Sequence, residues 1–259
     1  MIRYYTRVCN FFYGKESKLL VNKKKTFPLN NNKEISFGHL EIISRQSKKK
    51  ISIKKINSLP KFLKKKINLD LKNIKAKKNN FANLNFQKIP NIMGVLNLTP
   101  DSFSDGGKFN SEKRGINHAL EMFKSGANII DIGGESTRPR SSAVSKKLEW
   151  SRIGKIIKSI SKKIPISLDT RKSELMERGI NYGIKMINDV SGLTYDARTI
   201  DILKKYKIPF VIQHSLGTPK NMQNKPSYKN ELLDIYDFFE DKIKFLRSIG
   251  IKHNNIIID

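Results

Sequence analysis

Six points along the second two thirds of the chain place hydrogen-bonding side chains directly after a short apolar run. They are Asn97, Glu135-Ser136-Thr137-Arg138, Asp169-Thr170, Asn188-Asp189, Gln213-His214 and Asp259. One such residue would be an ordinary helix cap, since Asn, Asp, Ser and Thr satisfy the orphan N–H groups of a first turn. Six at the same point of a repeating pattern indicate a shared site. Carboxylates and amides without a His or Cys cluster suit a flat heterocycle that carries several N–H and C=O groups. The basic, hydroxyl-bearing stretch Ser136 to Ser141 suits a phosphate or carboxylate, which guanidinium can grip with two hydrogen bonds. Asn97 offers a neutral oxygen to a hard cation such as magnesium, which keeps most of its waters and binds substrate phosphates. No Ser-His-Asp order or nucleophile elbow is present, so covalent catalysis is not indicated. The stretch "NIMGVLNLTPDSFSDGG" (91–107) raises its own question: an apolar run empties into a polar loop holding a single Phe103.

The elements that must position these groups follow from hydrophobic pattern. Apolar runs at 91–97, 128–134, 165–170, 185–190, 209–214 and 255–259 alternate with helical patterns at 111–125, 145–162, 171–183, 195–206 and 230–249. Strands with almost no period-2 polarity, each followed by a helix, predict a parallel sheet covered by helices. Without a Gly-rich dinucleotide fingerprint, the pattern points to α/β architecture of the (β/α)8 TIM-barrel type, with about six of eight βα units present. In that architecture chemistry sits at the C-terminal ends of the strands, where the six polar points fall.

Charge divides the chain in two. The formal net charge is +28, but residues 1–90 hold 23 Lys and Arg against 4 Asp and Glu, and residues 91–259 hold 28 against 19. We therefore expect a basic, partly ordered N-terminal extension over 1–88 and a barrel over 89–259. Within the extension, 35–44 reads as a strand, and 58–80 as a basic helix or a solvated linker. The first eighteen residues are basic and acid-poor but lack the pattern of a presequence or secretory signal. Lysine runs can track phosphates, yet Lys, Asn and Ile are abundant throughout, so nucleic acid is not expected as a partner. The single cysteine, Cys9, excludes an internal disulfide and fits a reducing, cytoplasmic compartment. No apolar run is long enough to span a bilayer, so no membrane role is expected. Trp150 reads as packing, the amphipathic stretch 233–246 as barrel covering or a subunit face, and His214 as a structural hydrogen-bonder.

"IMGVLNLTPDSFSDGG", "GANIIDIGGESTRPRS", "PISLDTRKSELM" and "GIKMINDVSG" resemble, in order, the signature segments of the dihydropteroate synthase family of pterin-binding barrels. The resemblance runs from about residue 89 to 259. It implies a transferase of folate and tetrahydrofolate biosynthesis that joins 6-hydroxymethyl-7,8-dihydropterin diphosphate to 4-aminobenzoate, releasing pyrophosphate; the family is the target of sulfonamides. It implies Asn97 as a magnesium ligand on the diphosphate and a catalytic residue, with Arg138 and Asp169. Thr137, Arg138, Asp169, Asn188 and Asp259 would bind the pterin diphosphate, lined by Val95 and Val190. Phe103, Thr137 and Pro139 would meet 4-aminobenzoate. Small-molecule substrates and, for a complete protein, a homodimer are implied.

The sequence departs from the family at Arg140, where a small Gly is usual, and at Gln213, where a Met is common. It also stops at Asp259, where a "DPGxGFGK"-like segment is expected to begin, so we read it as incomplete at the C-terminus. Two rivals stay open: a methyltetrahydrofolate-type methyltransferase domain, and an inactive pterin-binding fragment.

Overall fold

The computed structural model describes residues 2–82, 84–85, 87–88, 90–99, 112–136, 141–215 and 227–259. The chain divides into two compact units, Met1–Asn79 with Phe86–Ile89, and Asn80–Asn85 with Pro90–Asp259.

The first unit runs β1 (Tyr5–Tyr13), α1 (Gly14–Asn22), β2 (Phe27–Leu29), β3 (Asn32–Ile43), β4 (Lys48–Ser52), a 3-10 segment (Ile53–Ser58) and α2 (Lys61–Lys75). The long β3 is the spine: it pairs antiparallel with β1, β2 and β4. Asn30 and Asn31, both at positive φ, form the tight β2–β3 turn, a conformation asparagine tolerates better than most residues. In α2, Leu63, Ile67 and Leu71 recur every fourth residue and pack with Leu40, Ile42, Ile51 and Ile56, while Lys61, Lys65 and Lys72 are exposed, Lys66 pairs with Asp70 and Lys75 lies over the Phe27 ring. Residues 1–75 are thus more regular than their lysine-rich composition suggests. The stretch weighed as a presequence is a strand and a helix, and α2 takes the helical option for 58–80.

The second unit is a six-stranded parallel sheet: β5 (Met93–Asn97), β6 (Ile129–Gly133), β7 (Ile166–Asp169), β8 (Met186–Asp189), β9 (Phe210–Ile212) and β10 (Ile256–Ile258). Between them lie α3 (Glu112–Lys124), α4 (Lys146–Ile160), α5 (Ser173–Asn181), α6 (Thr199–Tyr206) and α7 (Glu231–Ser248). Strand order follows chain order without reversal, as in a barrel wall and unlike a doubly wound sheet, whose order reverses at a switch point. The predicted runs match these elements to within a few residues.

Alternation along the strands sorts side chains into two layers. Leu96, Ile130, Ile132, Leu168, Ile187, Phe210 and Ile212 pack outward into the helix layer with Ile153, Ile157, Leu175 and Leu246. Ile129, Met186 and Val211 face the other way and are covered by Phe81, Ala82, Leu84 and Ile257. In that second cluster Ile129 and Met186 begin their strands, while Val211 is the middle residue of β9. Trp150 packs as expected, stacked on Tyr182 at 6.0 Å. α7 buries Leu233, Phe239 and Leu246, and His214 lies edge-on to Phe238 at 4.7 Å. Among the described residues no helix is long and apolar enough to cross a membrane.

Candidate functional site

Strand register determines which polar groups meet. Asn97 pairs with Gly133, Gly133 with Asp169, Asp169 with Asn188, and Asn188 with Val211, giving one row across the C-terminal ends of five strands. The row below holds Val95, Asp131, Ser167 and Met186. Glycine in the upper row matters: a Cβ on Gly133 would stand 3.1 Å from Asp169 Oδ2 and 3.3 Å from Asn97 Oδ1. The two oxygens therefore flank a cradle that any larger residue would fill.

Helix capping accounts for only part of this rim. Asp189 is fully buried and accepts from the Ser191 and Leu193 amides and the Ser191 hydroxyl. Thr170 accepts from the Lys172 amide. These two serve the turns after their strands. Asn97 and Asp169 do not: the side chain of neither makes a hydrogen bond among the described residues. Asn188 donates to Asp131 Oδ2 at 3.0 Å, while Asp131 Oδ1 and the facing Ser167 hydroxyl close no hydrogen bond of ordinary geometry.

The electrostatics follow from burial. Burial pushes the Asp131 carboxyl above its usual range, against the pull of Ser167 and Asn188. Asp169 is held well above that range, first by burial and then by the negative charges of Asp131, Glu149, Asp189 and Glu135. An incoming group with N–H donors or positive charge would relieve both carboxylates.

Beside this lumen stands a paired wall. Arg171 donates twice to Glu135, at 2.8 and 3.1 Å. Lys172 bridges Glu135 at 3.0 Å and contacts Glu149 directly. Thr170 donates to Glu149 at 2.6 Å, and Val144 N donates to Glu135 at 3.0 Å. Burial raises the Glu135 carboxyl, but Arg171, the Val144 amide and Lys172 together hold it below its usual range. For Glu149, burial outweighs Lys172 and Thr170, and its carboxyl stays raised. Glu135 accepts from the Val144 amide, so this network ties residues 135 and 144 to the segment after β7.

The expected site residues fall into three groups. Asn97, Asp169 and Asn188 come together in the upper row. Val95 lies one layer below and is 47% exposed. Asp259 continues the β9–β10 ladder, its N–H bonded to Ile212 O and its C=O to His214 N, and is exposed. Val190 is half-buried in the turn beyond β8. Phe103, Thr137, Arg138 and Pro139, with Arg140, lie outside the described residues. Sequence reasoning missed Asp131 as a site residue, although it is the one charge inside an otherwise apolar strand, and it missed Lys172 and Glu149 altogether.

No group of three His, Cys, Asp or Glu side chains among the described residues could form an all-protein metal cage. A magnesium ion needs less: one or two protein oxygens, the rest being substrate phosphate and water. The neutral Asn97 oxygen and anionic Asp169 oxygen over Gly133 fit that donor chemistry.

A sequentially ordered parallel sheet, covered by helices and presenting amides and carboxylates at its strand ends, defines a barrel-type α/β enzyme fold. The chain belongs to the pterin-binding enzyme family, whose model matches residues 93–259. It is 40% identical over 170 residues to the dihydropteroate synthase of Synechocystis, covering 65% of this chain and 59% of that one. It is 42% identical to that of Clostridium beijerinckii, covering 65% and 61%. Among solved structures, it is similar to a Yersinia pestis dihydropteroate synthase in complex with a sulfonamide drug. That match has 37% identity and a TM-score of 0.63, and covers 66% of this chain and 62% of that one. The chain spans about three fifths of the length of the curated relatives it matches.

Proposed function

We propose that this chain carries the pterin-binding part of a dihydropteroate synthase, which condenses 6-hydroxymethyl-7,8-dihydropterin diphosphate with 4-aminobenzoate to dihydropteroate and pyrophosphate. The observation that carries the reading is the row Asn97, Gly133, Asp169 and Asn188, with two unpartnered polar side chains over a glycine cradle. Asp169 accepts from ring N–H groups of the pterin, Asn188 donates and accepts at its edge, and Asp131 holds Asn188 in place. Asp259 and the apolar Val95 and Val190 complete the pterin surround.

As the carbon–oxygen bond to the diphosphate breaks, its electron pair leaves with the pyrophosphate, and positive charge spreads from the methylene into the ring. The carboxylates of Asp131 and Asp169 stabilise that charge from fixed positions, an electrostatic contribution without covalent attachment. The amine of 4-aminobenzoate then attacks the methylene and loses a proton. Arg138 and Thr137 take the leaving group, with Phe103 and Pro139 beside the aminobenzoate. Asn97, with Asp169 adjacent, would hold magnesium, which when bound supplies positive charge against the diphosphate. The same reading places the work in the cytoplasm, with a homodimer as the complete assembly.

Isothermal titration of 6-hydroxymethyl-7,8-dihydropterin into the chain tests the reading. Saturable binding that Asp169→Ala weakens about tenfold or more supports it, the cost of leaving a charged partner unmatched. No binding, or affinity indifferent to Asp169, sinks it.

A further inference from the structure

We propose that the first unit carries a binding site for a small, nucleotide-sized molecule bearing phosphate, separate from the pterin site. A concavity of about 550 Å³ between β4 and the 3-10 segment is lined by His39, Lys49, Lys50, Ser52 and Lys55, and no carboxylate is among its lining residues. Its volume lies in the range of small-molecule sites.

The hydrogen bonds at its edge set the polarity of the cavity. Asn10, in β1 with φ +56°, stands between two of the lining side chains. Lys50 Nζ donates to Asn10 Oδ1 at 2.8 Å. An ammonium only donates, so Oδ1 is the acceptor and the amide nitrogen faces His39 Nδ1 at 3.1 Å. His39 Nδ1 therefore accepts, and the ring N–H sits on Nε2. A lysine thus orients an asparagine, the asparagine selects a histidine tautomer, and the histidine is left with a donor to offer. With the ammonium groups of Lys49, Lys50 and Lys55, the site is a ring of donors, the requirement for a phosphate.

Two further observations support an anionic ligand. Residues 1–79 hold 22 Lys and Arg against 4 Asp and Glu. Three of those four acids are already paired: Glu34 with Lys18, Glu41 with Arg7 and Lys48, and Asp70 with Lys66. Lys49 and Lys55 have no ion-pair partner among the described residues. Lysines on an edge strand can serve only to block edge-to-edge pairing, but Lys55 lies beyond β4, and the Asn10–His39–Lys50 chain does nothing for the edge. Ile51, Leu59 and Pro60 give the cavity an apolar side. That favours a phosphate attached to a ring over a bare anion or a polymer backbone.

The test is titration of ADP, inorganic pyrophosphate and single-stranded oligouridylate into the full chain in EDTA, which removes magnesium-dependent binding at the other unit. We expect ADP to saturate one site and to bind tighter than pyrophosphate. Lys50→Ala or Lys55→Ala should weaken ADP about tenfold, the loss of one charged hydrogen bond. Asn10→Gly keeps the left-handed backbone and the charge but removes the clamp, and should weaken ADP severalfold. Asn97→Ala should leave ADP affinity unchanged, and the His39 ring nitrogens should show the Nε2–H tautomer and shift on ADP addition. The proposal is overturned by any of three results: no saturable ADP binding, ADP affinity indifferent to Lys50→Ala and Asn10→Gly, or binding of oligouridylate alone at many salt-sensitive sites.

Discussion

Gly133 and Gly134 are neighbours in sequence, yet alanine at each should fail in a different way. At Gly133 the new methyl would meet Asp169 Oδ2 at 3.1 Å, Asn97 Oδ1 at 3.3 Å and Asp169 Cβ at 3.4 Å. Two of these atoms end side chains that can swing by a few tenths of an ångström. Alanine also costs less conformational entropy in a strand than glycine, about 0.5–1 kcal/mol, so stability should stay within about 1 kcal/mol of wild type. The swing, however, moves the two oxygens assigned to the ligand. Mispairing a buried polar contact costs about 1–3 kcal/mol, on the order of a ten- to hundredfold loss of dihydropterin affinity.

At Gly134 the methyl would meet the Glu149 backbone oxygen and Ile153 Cγ2, both at 2.9 Å. Neither can yield unless α4 shifts from β6. Overpacking of this kind costs about 1–3 kcal/mol, and each kcal/mol lowers Tm by about 2–4 °C in a chain of this size. Urea denaturation and dihydropterin titration on both variants are the assays. If Gly133→Ala binds dihydropterin like wild type, the heterocycle does not sit over the cradle. If it melts as low as Gly134→Ala, the loss of binding would reflect the fold, and the separation argued here is wrong.

Other outcomes follow from the same geometry. Asn97→Ala should abolish the magnesium-dependent part of pyrophosphate binding while changing dihydropterin affinity little; equal losses in calorimetry would place Asn97 in the pterin pocket. Lys172→Met leaves Glu149 buried without a cation, held only by the Thr170 hydroxyl, and takes one of the two cations from Glu135, and should cost about 3–5 kcal/mol. Because burial already raises Glu149, that loss should shrink as pH falls and the carboxyl protonates, which urea melts at several pH values would reveal. Asp131 has a folded-state pKa raised above its unfolded value, so its ionised form costs stability above the folded value, and stability falls as pH rises from about 4. Asp131→Asn should therefore melt higher than wild type at neutral pH and converge with it in acid; a variant less stable at neutral pH would show that Asp131 is paired after all.

What could be read from sequence depended on whether burial leaves a pattern. β6 is buried at every position, so it appears as an apolar run broken only by Asp131 and ended by polar residues, and its placement followed. Asp131 was legible in principle: it alternates with Ile130 and Ile132, so it had to face opposite the helix layer. Glu149 and Lys172 were not. They lie 23 residues apart in two separate helical patterns, 145–162 and 171–183, and only the fold brings them together. β4 was equally opaque, because its lysines satisfy no strand pattern and Ile51 is its one buried residue. The N-terminal helix α1 has a single buried residue, Ser17, hydrogen-bonded to Ser36 at 2.8 Å, a contact with no hydrophobic signature.

The two charge clusters of the second unit differ in whether their charges are already paired. Glu135, Glu149, Arg171 and Lys172 contribute two negative and two positive charges, so the wall is neutral in sum and each member is already satisfied. It fixes loop geometry but adds little net field to the lumen. Asp131 and Asp169 have no cation between them, and their only strong donor contact among the described residues is Asn188. Burial without pairing is unfavourable for the free protein. On the function proposed above, the bound substrate supplies the missing partner, and the deficit calls for several N–H donors in one plane, able to carry positive charge. The reduced pterin of that proposal, losing its diphosphate, would meet both conditions at the moment of reaction, when the positive charge is largest.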